Sequence, residues 1–206
     1  SFMIKYNNTI ENECNIRGVS FNIIADIQST QILQSISSPE VNQDVVRLEK
    51  APKIAIYSPS NKQPWDDAVT MALTYAEIPY EVIYDEQVLS NLLPFYDWLH
   101  LHHEDFTGQY GKFYATFKNA TWYKDQKRDY EILAKKLGYK KVSQEKLAVA
   151  KKIKNYVYGG GFLFAMCSAT DSFDIALASL NVDIAAEAFD RTPVDNNYNE
   201  KLNFSN

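Results

Sequence analysis

"GGGFLFAMCSATDSFD", residues 159–174, runs from a glycine turn through an apolar stretch to a lone cysteine and into a helical pattern. The apolar stretch, 162–166, has the length and composition of a buried strand in a parallel sheet. A helix is expected from about Thr170 to Leu180. Strand, cysteine and helix in that order match a nucleophile elbow, whose tight turn needs small residues two before and two after the nucleophile. Those positions are Ala165 and Ala169, so A-M-C-S-A is a permissible version of the pattern. The helix start behind Cys167 offers N–H groups to an oxyanion and favours a thiolate, whereas Asp171 and Asp174, in the first two turns, oppose one. A cysteine ending a buried strand also serves as a small apolar residue, and the local sequence leaves both roles open.

Working outward, Ser143 is expected to cap a helix running to about Val157, with the glycines as its turn. "KIAIYS" (53–58), "YEVIYD" (80–85) and "YDWLHLHH" (96–103) read as three further strands. Between the first two, Pro64 suits a first helical turn and Asp66 and Asp67 suit the positive helix start. Val69, Ala72, Leu73 and Ala76 form its core-facing stripe, and Pro79 stops it. Four strands alternating with helices predict an α/β fold, a parallel sheet with helices on both faces. Such sheets work at the carboxyl ends of their strands. Here those ends are Ser58-Pro59, Asp85, His102-His103 and Cys167.

The rest of the chain is less regular. Residues 104–142 read as an insertion after the third strand, with one helix at 121–137 presenting Gln126, Tyr130, Leu133, Ala134 and Leu137, and Gly138 as its cap. Residues 1–50 read as a lead-in, the end of an upstream domain. In it "GVSFNIIADI" (18–27) looks like a strand, followed by a helical or irregular stretch. The α/β domain spans about 51–190, and 191–206 is an irregular tail that continues in a longer protein.

All three histidines lie in "HLHHEDFTGQYG" (100–111). Three roles are open. His102 or His103 is the base for Cys167, oriented by Glu104 or Asp105; or the His, Glu and Asp side chains gather round a metal; or the imidazoles satisfy buried polar groups. In the first case the Ser168 N–H and one from the loop after His102 would hold the oxyanion. Gln109, between two glycines, is placed where a loop approaches a small ligand, or simply in a turn. Phe106, Tyr110, Phe113, Tyr114, Phe117, Trp122 and Tyr123 either form a contact surface or pack the insertion onto the sheet.

Composition narrows the function classes. The 206 residues are 46% hydrophobic and 14% aromatic, enough for a real core, and the net charge is −5. Without a basic stripe, nucleic acid is not an expected partner. No apolar run is long enough for a membrane span, and no signal peptide is visible. Cys14 and Cys167 are too few for a disulfide framework and fit no CxxC zinc pattern. No cofactor or metal is expected.

The βαβα order, the helix-GGG-strand-Cys-helix unit and the small residues round Cys167 resemble the class I glutamine amidotransferase-like fold, a three-layer flavodoxin-like parallel sheet. More closely, "KIAIYSPSNKQPWDDAVTMALTYAEIPYEVIYDE", "YDWLHLHHEDFTGQYGKFY" and "GGGFLFAMCSATDSFDIALA" are similar to a Bacteroidota family often given the label asparagine synthetase B. The likeness covers the chain from about Ile16 on. Members of that family are typically longer at both ends and exported, which implies a fragment of a protein of the periplasm or cell envelope. True asparagine synthetases use an N-terminal cysteine and an ATP-pyrophosphatase domain. The chain starts with Ser1 and has no pyrophosphate-binding glycine loop, so asparagine synthesis is not expected. Class I amidotransferases carry a His-x-Glu pair downstream of the cysteine. Of that triad only the Cys167 position carries over; the His and Glu are expected beyond residue 206 or absent, so the base is His102, His103 or a histidine further along a longer protein.

Two functions follow as expectations. One is a cysteine-dependent amidase or hydrolase acting on a small-molecule amide. The other is a non-catalytic module that keeps the fold and binds an envelope protein partner.

Overall fold

A computed structural model describes residues 3–36, 38, 40, 50–58, 67–103, 107 and 110–206. The chain divides into two compact units, Ser1–Ala51 and Pro52–Asn206.

In the first unit, α1 (Asn8–Ile16) is capped by the Asn7 side chain, which accepts the Ile10 N–H at 2.7 Å. A second helix, α2 (Asp26–Ile36), follows, and neither helix has a buried residue. The strand expected at 18–27 is not there. Residues 19–25 have no regular structure and Asp26 already opens α2. Alternating Val19, Phe21 and Ile23 give a strand pattern, but a strand needs a neighbour to bond, and all three side chains are exposed.

The second unit is built on β1 (Ile54–Tyr57), β2 (Glu81–Ile83), β3 (Trp98–Leu101) and β4 (Phe162–Phe164). All pairings are parallel, in the order β2-β1-β3-β4. The unit is therefore α/β, as expected. β1 is central and every one of its residues is buried, which explains its unbroken apolar run. The side chains divide by the two-residue period of a strand. Ile54 and Ile56 face α3 (Ala68–Tyr75) through Leu73, with Val69 and Trp98 beside them. Ala55, Tyr57, Leu99 and Leu101 face the larger core, with Val88 of α4 (Asp85–Leu89) and Val149, Ala150 and Ile153 of the long helix 142–158.

Between β3 and β4 lie α5 (Tyr114–Phe117), α6 (Thr121–Lys136) and α7 (Val142–Tyr158), the last two close to expectation. Ser143 is not the cap of α7. Lys141 holds that position, and its ammonium is 3.0 Å from both Asp183 and Asp190. A serine two residues on reads as a cap in sequence, but the chain turns helical before it. After β4 come α8 (Ser168–Ala178), α9 (Glu187–Asp190) and α10 (Tyr198–Lys201). Most of the insertion's aromatics pack on one another and on α9. Tyr110 stacks on Tyr130, Tyr114 on Tyr123 and Phe189, and Phe113 and Phe117 on Trp122. Phe106, Pro59, Pro64 and Asp66 lie outside the described residues.

Candidate functional site

The chain leaves β1 outward to β2 and crosses back to β3, so the strand order reverses between β1 and β3. In open α/β sheets the crevice outside the carboxyl ends at such a reversal is where ligands bind. Asp67 is buried there, just before α3. Its backbone is extended and its Oδ1 accepts the N–H groups of Val69 (2.8 Å) and Thr70 (3.2 Å), which starts the helix.

The same carboxylate gathers two histidines. His100 Nε2 is 3.0 Å from Oδ1, and both side chains are fully buried. The His103 backbone N–H donates to Oδ2 at 2.7 Å. His103 Nδ1 lies 3.3 Å from Oδ2, yet it is not aligned for a hydrogen bond. His102, also buried, stacks on the His103 ring at 4.5 Å between centroids. Burial alone would push the Asp67 carboxyl up. The His100 hydrogen bond and charge, with the N–H groups of His103 and Thr70, outweigh it and hold the group well below the usual carboxylate range.

Cys167 ends the β4 turn and is the N-cap of α8. Its backbone has φ 56° and ψ −141°, and the side chain is exposed. Arg191 (ψ 23°) and Asn197 (ψ 38°) also have positive φ but occupy the left-handed helical region. Cys167 does not, and its conformation is one that side chains other than glycine adopt at a cost of about 1–3 kcal/mol. The small residues flanking it fit: Ala169 is fully buried and Ala165 packs on the core. Ser168 opens α8, so its N–H has no acceptor within the helix, and its hydroxyl donates to the His103 carbonyl at 3.2 Å. That bond ties the cysteine turn to the histidine loop. Asp171 and Asp174 are exposed to solvent.

Of the expected site residues, Cys167, Ser168, His102 and His103 thus meet at one sheet edge. Glu104, Asp105 and Gln109 lie outside the described residues. Among the described residues no hydrogen bond joins the Cys167 thiol to an imidazole. Among the described residues the carboxylate beside the histidines is Asp67, which in the sequence shows only as a helix-start residue. An acid cap following a strand at the sheet's working edge was the available signal. In the loop after His102, where the second oxyanion donor was expected, the His103 N–H is committed to Asp67, and residues 104–106, 108 and 109 lie outside the described residues.

A second polar cluster lies at the carboxyl ends of β1 and β2, on the α7 side. The Tyr57 hydroxyl donates to Asp85, and Lys146 Nζ is 2.6 Å from the other Asp85 oxygen. Glu145 is buried beside them, with Lys146 Nζ at 3.7 Å and no hydrogen bond to either carboxylate oxygen. Burial, aided by the Asp85 charge and opposed by Lys146, pushes the Glu145 carboxyl up to about 7. Burial and the charges of Asp85 and Glu145 push the Tyr57 phenol well up as well. No helix among the described residues is long and apolar enough to cross a membrane.

No family model, curated protein or solved structure matches the chain.

Proposed function

We propose that the second unit is a cysteine-dependent amidohydrolase of the class I glutamine amidotransferase-like type. The observation that carries the reading is the backbone of Cys167: a strained, exposed thiol between a parallel strand and a helix N-terminus. Strain of this kind persists only where the surroundings hold it, and it gathers at active sites. The order β2-β1-β3-β4 is that of the first four strands of a flavodoxin-like sheet, which favours that finer fold assignment.

In this reading the Cys167 sulfur attacks the carbonyl carbon of an amide. His103 takes the thiol proton and passes it to the leaving nitrogen, giving a thioester and a free amine or ammonia. Water then cleaves the thioester, returning a carboxylic acid and the thiol. Asp67 orients His103 and stabilises its charged form. The Ser168 N–H and the α8 N-terminus face the developing oxyanion. Hydrogen bonds between nucleophile and base are often absent without substrate and tighten in the complex. The reading extends to a small-molecule amide as substrate and, through the family resemblance, to the periplasm or cell envelope.

The test is alkylation of the chain by iodoacetamide, followed by mass spectrometry at Cys167 and Cys14, with ammonia release from a panel of primary amides. Cys167 should react faster than Cys14, and His103→Ala should slow Cys167 at least about tenfold at neutral pH. Equal rates at both cysteines, or no effect of His103→Ala, would remove the catalytic reading.

The alternative, a module that binds an envelope protein partner, is favoured by a different observation. Phe162 and Phe164 on the outer strand β4, and Phe117 and Trp122, are large exposed side chains, and aromatics of this kind are enriched in interfaces.

A further inference from the structure

We infer that Asp67, His102 and His103 form a binding site for a divalent transition metal of the zinc class. One ligand atom from each of the three lies within 4.8 Å of the other two. Two imidazoles and a carboxylate are the donor set that zinc and its neighbours accept, and alkaline-earth ions prefer oxygen alone.

The sharpest observation is between His103 and Asp67. Nδ1 and Oδ2 are 3.3 Å apart, and Nδ1 is buried but not aligned to donate to Oδ2. Two ligands of a tetrahedral zinc, each about 2.0–2.1 Å from the ion, are separated by roughly 3.3 Å. The two atoms are spaced as neighbours on a coordination shell and misaligned as hydrogen-bond partners. An ion bound to both satisfies a buried nitrogen that finds no hydrogen-bond partner among the described residues.

The supporting contacts are those a metal carboxylate needs. Oδ1 of Asp67 is fixed by His100 Nε2 and by the Val69 and Thr70 N–H groups. Oδ2 receives the His103 N–H and keeps its second lone pair for the ion. His100 is held in turn by the Phe164 carbonyl, 3.2 Å from Nδ1. The His103 side chain is 34% exposed, so the ion has an entry path and a fourth position for water. Three protein ligands and an open position describe an exchangeable or catalytic site, not a closed structural one.

An ion takes the Nδ1 lone pair of His103 and leaves the ring's proton on Nε2. The metal therefore competes with the role of His103 as a base, and zinc should suppress Cys167 alkylation. The metal site itself does not rest on the hydrolase reading, and its test is arranged to keep the two apart.

The test is titration of the Cys167→Ala chain with Co(II), followed by visible absorption and displacement by Zn(II). The expected result is saturable binding of a single ion, as tight as in the unsubstituted chain. His102→Ala and His103→Ala should each weaken it at least about tenfold, with folding checked by circular dichroism. X-ray absorption at the zinc edge of the unsubstituted chain supplies a readout that does not depend on any variant. It should give a nitrogen and oxygen shell with imidazole scattering and no sulfur. Absence of saturable binding, binding indifferent to both histidine variants, or sulfur in the zinc shell would each overturn the site. Metal binding in Cys167→Ala with no thiol reactivity in the unsubstituted chain would retain the site and reject the hydrolase.

Discussion

His100 faces an acceptor at each ring nitrogen: Asp67 Oδ1 lies 3.0 Å from Nε2 and the Phe164 carbonyl 3.2 Å from Nδ1. A neutral imidazole has one N–H and one lone pair, so it could serve only one of these contacts. Serving both would take a proton on each nitrogen, that is a buried imidazolium–carboxylate pair. That pair joins the start of α3, the middle of β3 and the end of β4, the three elements that frame the candidate site.

Removing one member of a buried pair leaves the other charge uncompensated, which costs about 3–5 kcal/mol. Asp67→Ala should lose that much stability in urea unfolding, since it also removes the α3 cap. Asp67→Asn keeps the cap oxygen and should lose less. Equal, small losses from both would mean that the pair is not charged.

Cys167 stores strain that a glycine there would not. Relief of about 1–3 kcal/mol exceeds the extra chain entropy of glycine, about 0.5–1 kcal/mol. Cys167→Gly should therefore melt higher than Cys167→Ala, by roughly 1 kcal/mol at the midpoint. Identical melting temperatures would show that the turn is relaxed.

The turn between α7 and β4 sets a different constraint. A Cβ on Gly161 would lie 2.2 Å from the Tyr156 ring. That ring is nearly buried and its hydroxyl donates to the Phe162 carbonyl at 3.4 Å. Gly161→Ala must shift the ring or open the turn, a strain of about 1–3 kcal/mol. Gly160→Ala meets no neighbouring atom but has φ 97°, so its cost is backbone strain alone. Double variants with Tyr156→Ala separate the two: the Gly161→Ala penalty should shrink in that background and the Gly160→Ala penalty should not.

The sheet was legible because its central strands β1 and β3 are buried on both faces, and β4, with Phe162 and Phe164 exposed, keeps the same apolar composition. "KIAIYS" and "FLFAM" have no other reading once helices flank them, and the cysteine turn followed from the small residues at 165 and 169. Residues 18–27 misled because alternation reports a face and not a partner. Asp67 was missed as a site residue for a related reason: a helix cap and a histidine clamp demand the same short carboxylate, and only the β1–β3 register brings His100 and His103 to it. Asp85 was legible as a strand end at the working edge, but its partners Glu145 and Lys146 were opaque, since their burial depends on how α4 and α7 meet.

That last cluster sets the pH dependence. Glu145 moves from 4.5 to about 7 on folding, chiefly through burial. The folded state then binds its proton more tightly than the unfolded chain. The stabilisation is complete below about pH 4.5 and is lost as the pH rises through 7, a loss on the order of 1–3 kcal/mol. The groups facing it bias the balance without reversing it: Asp85 favours the proton, Lys146 opposes it, and Tyr57 is neutral across this range. Glu145→Gln mimics the protonated form. It should leave stability at pH 5 nearly unchanged and raise it at pH 8, flattening the slope between them. Urea unfolding of both chains at the two pH values measures this directly. A glutamine variant with an unchanged slope would place the titration elsewhere, whereas one destabilised at pH 8 would mean that the ionised Glu145 is the form the Lys146 ammonium needs.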